Sequence, residues 1–254
     1  MRSGFYKAAL LFVLALLFSC SAVSVYSNVP HPRDNQKAIK KLNESGIPLQ
    51  ADPAGDVRWI EAKNGETNDK AMRYLPNLPK LEWLEISKGT ISEKGLKHLK
   101  KCTALKRLYI HDINLEGEEL KWISNLKNLE ALALQNTQID GRFLKHLGAV
   151  NTLKVLNLSG NKISDEDMGQ IARLKNLEVL SLANTQISGT GIRELQGMVR
   201  LNELNIENCN VSDNDLPSFL TMPNLRIVYA TGCNLSNFAI GSIVARFPSL
   251  AIFL

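Results

Sequence analysis

Leu153 to Asn176 reads LKVLNLSGNKISDEDMGQIARLKN. Its opening, L-x-x-L-x-L-x-x-N-x-I, returns down the chain. Leu81, Leu105, Leu129, Leu153, Leu177, Leu201 and Leu225 each open the same phrase at a spacing of 24 residues. Val57 opens a weaker copy one period before Leu81, and Leu250 opens a clipped one 25 residues after Leu225. A fixed period of this length marks a solenoid of stacked supersecondary units.

Within the quoted stretch, Leu153, Leu156 and Leu158 are spaced for a short strand with one buried face. Asn161 follows at the turn, and Ile163 returns to the core. Asp165 is placed to cap a helix whose inner face carries Met168, Ile171 and Leu174. One unit cannot bury that apolar set alone; stacked neighbours do. The phrase resembles the consensus of the leucine-rich repeat family, L-x-x-L-x-L-x-x-N/C-x-L, from Val57 to Leu254. The resemblance implies an α/β horseshoe with a parallel concave sheet and short convex helices. It also implies that Asn161 bonds neighbouring backbone, that stacked copies form a ladder, and that ligands sit on the concave sheet. Thr-x-Ile followed by a Ser or Asp resembles the 24-residue repeats of bacterial surface proteins and lipoproteins.

The start of the chain has a different character. Residues 1–19 carry Arg2 and Lys7, then the apolar run AALLFVLALLF, and have the form of a secretory signal. Ser19-Cys20 resembles a bacterial lipobox, which makes Cys20 the expected lipidation site and mature N-terminus, although Phe18 is bulkier than the residue usual before that pair. An ordinary cleaved signal ending near Ala22 and an uncleaved anchor from Ala8 to Val25 are the alternatives, the latter about long enough for a thin bilayer. All three place the repeats outside the cytoplasm, in the cell envelope or secreted. Residues 20–34 read as a tether of at most ~45 Å when extended. Residues 35–56 read as an N-terminal cap, with a helix over Asn35–Ser45, a stop at Gly46 and a strand at Ile47–Gln50. Residues 57–254 are the repeats.

Charge and motifs narrow the function. Without residues 1–19 the net charge falls from +5 to +3, too mild for a nucleic-acid binder. No Walker loop, H-E-x-x-H or G-x-S-x-G is present, and Gly189-Thr190-Gly191 is only a partial glycine pattern. No C-x-x-C suggests zinc. Cys102 falls in a core column. Cys209 and Cys233 lie one repeat apart in the asparagine column, within reach of a disulfide, yet ladder side chains point the same way. His98 and His146 share an outward column of the convex side and are expected to be solvated. No cofactor, no metal and no catalysis are expected.

The remaining signal is on the concave face, where the period gives the outward positions directly. One column runs Trp59, Trp83, Arg107, Ala131, Val155, Val179, Glu203, Ile227; the next runs Glu61, Glu85, Tyr109, Ala133, Asn157, Ser181, Asn205, Tyr229; His111 stands in the third. The first three repeats gather Trp59, Glu61, Trp83, Glu85, Arg107, Tyr109 and His111. Aromatics and arginine are enriched at binding hot spots, so these seven form the expected protein-binding site, unless the tryptophans only shield the sheet beside the cap. Lysines on the convex side, among them Lys97, Lys100, Lys121 and Lys145, read as a solvated face, with an anionic membrane as the other possibility.

The expected function is thus a non-catalytic, exported and lipid-anchored protein-binding module with a macromolecular partner. A surface enzyme is one competing class, which would need a polar triad that the columns do not show, and two more compete. One is a receptor subunit of a ubiquitin ligase, because F-box proteins carry similar repeats with turns like Cys209-Asn210 and Cys233-Asn234; their repeats are longer, and an export signal contradicts that role. The other is a structural spacer of the envelope. Leu250 and Phe253 are expected to face inward and Leu254 outward. The chain is expected to be a monomer or weak homodimer, with any self-association running through residues 250–254.

Overall fold

The computed structural model describes residues 33–63, 65–115 and 117–254. The expected signal segment, the expected lipidation site Cys20 and the expected tether through residue 32 lie outside them. Among the described residues, no helix is long and apolar enough to cross a membrane.

The N-terminal helix spans Arg33–Glu44, starting two residues before the expected position. It buries Ala38 and Leu42 and leaves Lys37 and Lys40 exposed. Gly46 then turns the chain at φ +76°, a conformation that only glycine adopts without cost. Strand β1 (Leu49–Ala51) pairs antiparallel with β2 (Val57–Ala62) and covers the first edge of the sheet.

Eight parallel strands follow β2 in strict sequence order: β3 (Trp83–Ser87), β4 (Arg107–His111), β5 (Ala131–Gln135), β6 (Val155–Asn157), β7 (Val179–Ser181), β8 (Glu203–Asn205), β9 (Ile227–Tyr229) and β10 (Ala251–Phe253). The register never slips. Trp59 pairs with Trp83, Trp83 with Arg107, and the same step of one repeat continues to Ile227 and Ala251. The inward column Leu84, Leu108, Leu132, Leu156, Leu180, Leu204 and Val228 has no exposed surface. Short helical turns close the convex side, for example Glu93–Leu96, Leu144–Leu147 and Met168–Ile171. Several are 3₁₀ turns, as expected where few residues must close each coil.

The turn ladder is built as the resemblance implied. Asn161 donates from Nδ2 to the carbonyls of Leu134, one repeat back, and Leu158, while its Oδ1 accepts from the Thr137 amide at 3.0 Å. The cysteines take the same role and are free. The Cys209 thiol reaches the Leu182 carbonyl at 3.2 Å, and that of Cys233 reaches the Ile206 carbonyl at 3.1 Å. Each thiol points into the preceding repeat rather than at the other, so no disulfide forms.

Three expectations are corrected. Asp165 does not cap its own helical turn; Ser164 and Asp167 form that capping box, and Asp165 reaches into the next repeat to Ser188. Phe253 faces the concave side, not the core. Ala251 sits 24 residues from its partner Ile227, so Leu250 and Ile252 are the inward pair and Phe253 aligns with Tyr229. The longer helix Asn237–Arg246 delays Leu250 by one residue, and the strand absorbs this by starting one residue sooner. His98 and His146 are half-buried rather than solvated.

Candidate binding face

Three adjacent strands bring all seven expected site residues onto one face. Trp59, Trp83 and Arg107 are in register across β2, β3 and β4, and so are Glu61, Glu85 and Tyr109. Ser87 pairs with His111 at the strand ends. The register follows from period-2 alternation: the intervening Ile60, Leu84, Ile86, Leu108 and Ile110 are locked in the core, so their neighbours must point outward.

The rings of Trp83 and Tyr109 meet edge to face, centroids 6.0 Å apart at 78°. This is a favoured geometry, because the positive edge of one ring lies on the negative face of the other. Tyr109 and His111 follow at 6.2 Å and 35°. Beside the rings, the Lys63 ammonium bridges two carboxylates, Glu61 at 3.1 Å and Glu85 at 3.3 Å. His111 Nε2 lies 4.0 Å from Glu85, too far for a hydrogen bond. Burial pushes the His111 imidazole below its usual range and the Glu85 carboxyl above it, and Lys63 partly offsets the latter. Burial also pushes the Tyr109 phenol up to about 12, and among the described residues its hydroxyl has no hydrogen-bond partner.

The Ser87 hydroxyl, in register with His111, is committed to the Lys63 carbonyl at 2.7 Å. Burial pushes the Cys102 thiol up to about 12, far from a reactive thiolate. Among the described residues no group of His, Cys, Asp and Glu could hold a metal ion.

Residues 151–211 match the leucine rich repeat family model. The fold is also that of solved repeat proteins. Internalin C2 of Listeria monocytogenes superposes with a TM-score of 0.61 at 21% identity, covering 90% of this chain and 100% of that one. The chain is built of leucine-rich repeats. A plant peptide hormone receptor, RGFR1 in complex with RGF2, matches with a TM-score of 0.53 at 21% identity, over 81% of this chain but only 36% of the receptor chain. No curated protein matches the chain.

The leucine-rich repeat face continues past the aromatic cluster. Tyr109, Ala131, Ala133, Val155 and Val179 form a second apolar cluster, distinct from the core, with Trp83 packed against it. The middle repeats are small, as their sequence indicates, but they are buried rather than open, since side chains in one column stand ~4.8 Å apart and shield each other. Two features of the concave face escaped the sequence reading. Tyr229 and Phe253 stack at 5.4 Å and 22°; the misplaced Phe253 hid this pair. Glu203, between Val179 and Ile227 in the tryptophan column, is only 1% exposed, and neither carboxylate oxygen has a hydrogen-bond partner. A lone carboxylate in an apolar column belongs to no known constellation, so only its position at the shared period could have singled it out.

Proposed function

We propose that this chain is a non-catalytic protein-binding module, exported and held at the membrane by lipid on Cys20, which recognises its partner on the concave face. The observation that carries the reading is the edge-to-face pair of Trp83 and Tyr109, set beside Arg107, the Lys63-bridged carboxylates and His111 on three adjacent strands. None of these residues belongs to the core between the sheet and the convex turns, and the combination is that of an interface hot spot. The plant peptide hormone receptor in complex with RGF2 supports the use of this fold for polypeptide ligands.

The test is a pull-down from the native cell envelope with wild type and Trp83→Ala. A specific partner is expected to bind wild type and to lose about 2 kcal/mol of affinity to the variant, while the melting temperature changes little. A sharp fall in melting temperature would make Trp83 a packing residue instead. Intact-mass analysis addresses the anchor: a mature chain starting at a lipid-modified Cys20 is expected, and a start beyond Cys20 or at Met1 overturns it.

A further inference from the structure

Several buried polar atoms of the concave face lack a hydrogen-bond partner among the described residues, among them the Tyr109 hydroxyl and both carboxylate oxygens of Glu203. Glu203 lies in the outward column Trp83, Arg107, Ala131, Val155, Val179, Glu203, Ile227, with apolar neighbours on both sides. Both carboxylate oxygens are buried and without a hydrogen-bond partner, and Glu203 forms no ion pair among the described residues. The side-chain amide two residues along the strand is already engaged: Asn205 Nδ2 donates to Glu207 at 3.2 Å, and Asn205 Oδ1 accepts from the Glu207 backbone amide at 2.9 Å. The Tyr229 phenol feels the charges of both Glu203 and Glu207, and among the described residues no cation pairs with Glu203. Two other concave carboxylates, Glu61 and Glu85, share Lys63.

A buried carboxylate without a partner is costly, and a matching cation relieves that cost. We infer that the partner on this face is a polypeptide segment that lays apolar side chains over Ala131, Val155 and Val179 and pairs a lysine or arginine with Glu203. The inference rests on the concave-face reading and names the chemistry of its ligand. Charge complementarity selects the basic residue, and the apolar cluster leading from Trp83 to Val179 selects the side chains that precede it. Burial pushes the Glu203 carboxyl up to about 7, in keeping with a group whose ionised form awaits a counter-charge.

The probe is a random-peptide phage library selected on the immobilised full chain. Enriched peptides are expected to share a lysine or arginine next to apolar residues. A synthetic peptide of that sequence should lose about tenfold in affinity or more on Glu203→Gln. It should lose as much when its own basic residue becomes norleucine, and the two changes together should cost little more than either alone. The norleucine peptide keeps the test decisive even if Glu203→Gln folds poorly. Peptides that bind with sensitivity to Trp83→Ala, but with no basic residue and no response to Glu203→Gln, overturn this inference and leave the concave-face reading standing. Peptides indifferent to both variants, or no enrichment at all, overturn both.

Discussion

Asp165 holds the next repeat by its helix start. Its Oδ1 accepts from the Ser188 amide at 2.7 Å, and its Oδ2 accepts from the Ser188 hydroxyl at 2.5 Å. The Gly191 amide adds a third bond to Oδ1 at 3.0 Å. The same clamp recurs from Asp69 to Ser92, at 2.8 and 2.5 Å, and from Asp213 to Ser236, both at 2.7 Å. It satisfies amides that the start of a helical turn leaves without internal partners, and it does so across the repeat boundary. The second glycine of the partial pattern is thereby explained: a Cβ on Gly191 would collide with the Asp165 carboxylate.

Asp165→Ala is therefore expected to destabilise the chain by about 2 kcal/mol, with Ser188→Ala costing about 1 kcal/mol. Because they share one contact, the double variant should cost clearly less than the sum. Urea unfolding followed by circular dichroism measures all three. Strict additivity would show that the clamp contributes nothing as a pair.

The clamps also set an acid limit. The Ser92 hydroxyl, chiefly, holds the Asp69 carboxyl below the usual carboxylate range, and the Ser236 amide and hydroxyl do the same for Asp213. Asp52 is held low by the Arg58 guanidinium. A carboxyl whose folded pKa lies below its unfolded value contributes stability above the unfolded value, about 3.9 for aspartate. That contribution is lost as the pH falls through the folded value. The melting temperature is expected to drop as the pH is taken below about 4, and Ser92→Ala with Ser236→Ala should make the drop shallower. An unchanged acid limb in the double variant would assign it to other carboxylates.

The repeat, the inward leucine column and the outward columns could be read from sequence because they obey one local rule, alternation within a strand at a fixed period. The clamp could not, because a sequence reading gives Asp165 to the helix beside it, whereas stacking sets it against Ser188 in the next coil. The left-handed column was hidden differently. Lys88, Asp112, Asn136, Gly160, Asn184, Asn208 and Gly232 all turn the chain at positive φ after their strands. Asparagine and glycine tolerate this conformation well, but Lys88 and Asp112 disguise the pattern. At the candidate site, the aromatic cluster was legible as composition in register. Glu203 was not, because the missing partner is a fact of three-dimensional surroundings.

A ladder of alternating charge runs along the strand starts. Arg58 Nη1 meets Glu82 at 2.5 Å, Lys106 meets the same carboxylate at 3.1 Å, and Lys154 meets Glu130 at 3.4 Å. The chain repeats the alternation as Arg58, Glu82, Lys106, Glu130, Lys154 and Glu178 at the 24-residue period. Glu82→Lys places three cations in succession and is expected to cost about 1 kcal/mol, a modest figure because these side chains are partly exposed. The loss should shrink in high salt. Thermal melts at low and high sodium chloride check it; a loss independent of salt would mean that packing of the Glu82 stem, not charge, is at stake.

The last prediction concerns the far end of the sheet. Strand β10 pairs with β9 on one side, and no described strand pairs with its other side. Phe253 and Leu254 remain 46% and 40% exposed, and Phe238 on the adjoining helix is 86% exposed. Ile240 and Ile243 are only partly buried, unlike the corresponding residues of inner repeats. A free strand edge beside apolar side chains invites pairing. A second copy meeting it edge to edge would form a two-fold contact that closes at a dimer. The strand is only three residues long, so the contact is expected to be weak and to appear only at high concentration. Because Phe253 rather than Ile252 faces outward, the informative pair is Phe253→Lys with Leu254→Lys, which spares the inward Ile252. Any dimer found by light scattering should vanish in this variant while the melting temperature of the monomer changes little. A dimer that survives the change must use another surface, and a loss of binding-face function in the same variant would point to the Tyr229–Phe253 stack on the concave side.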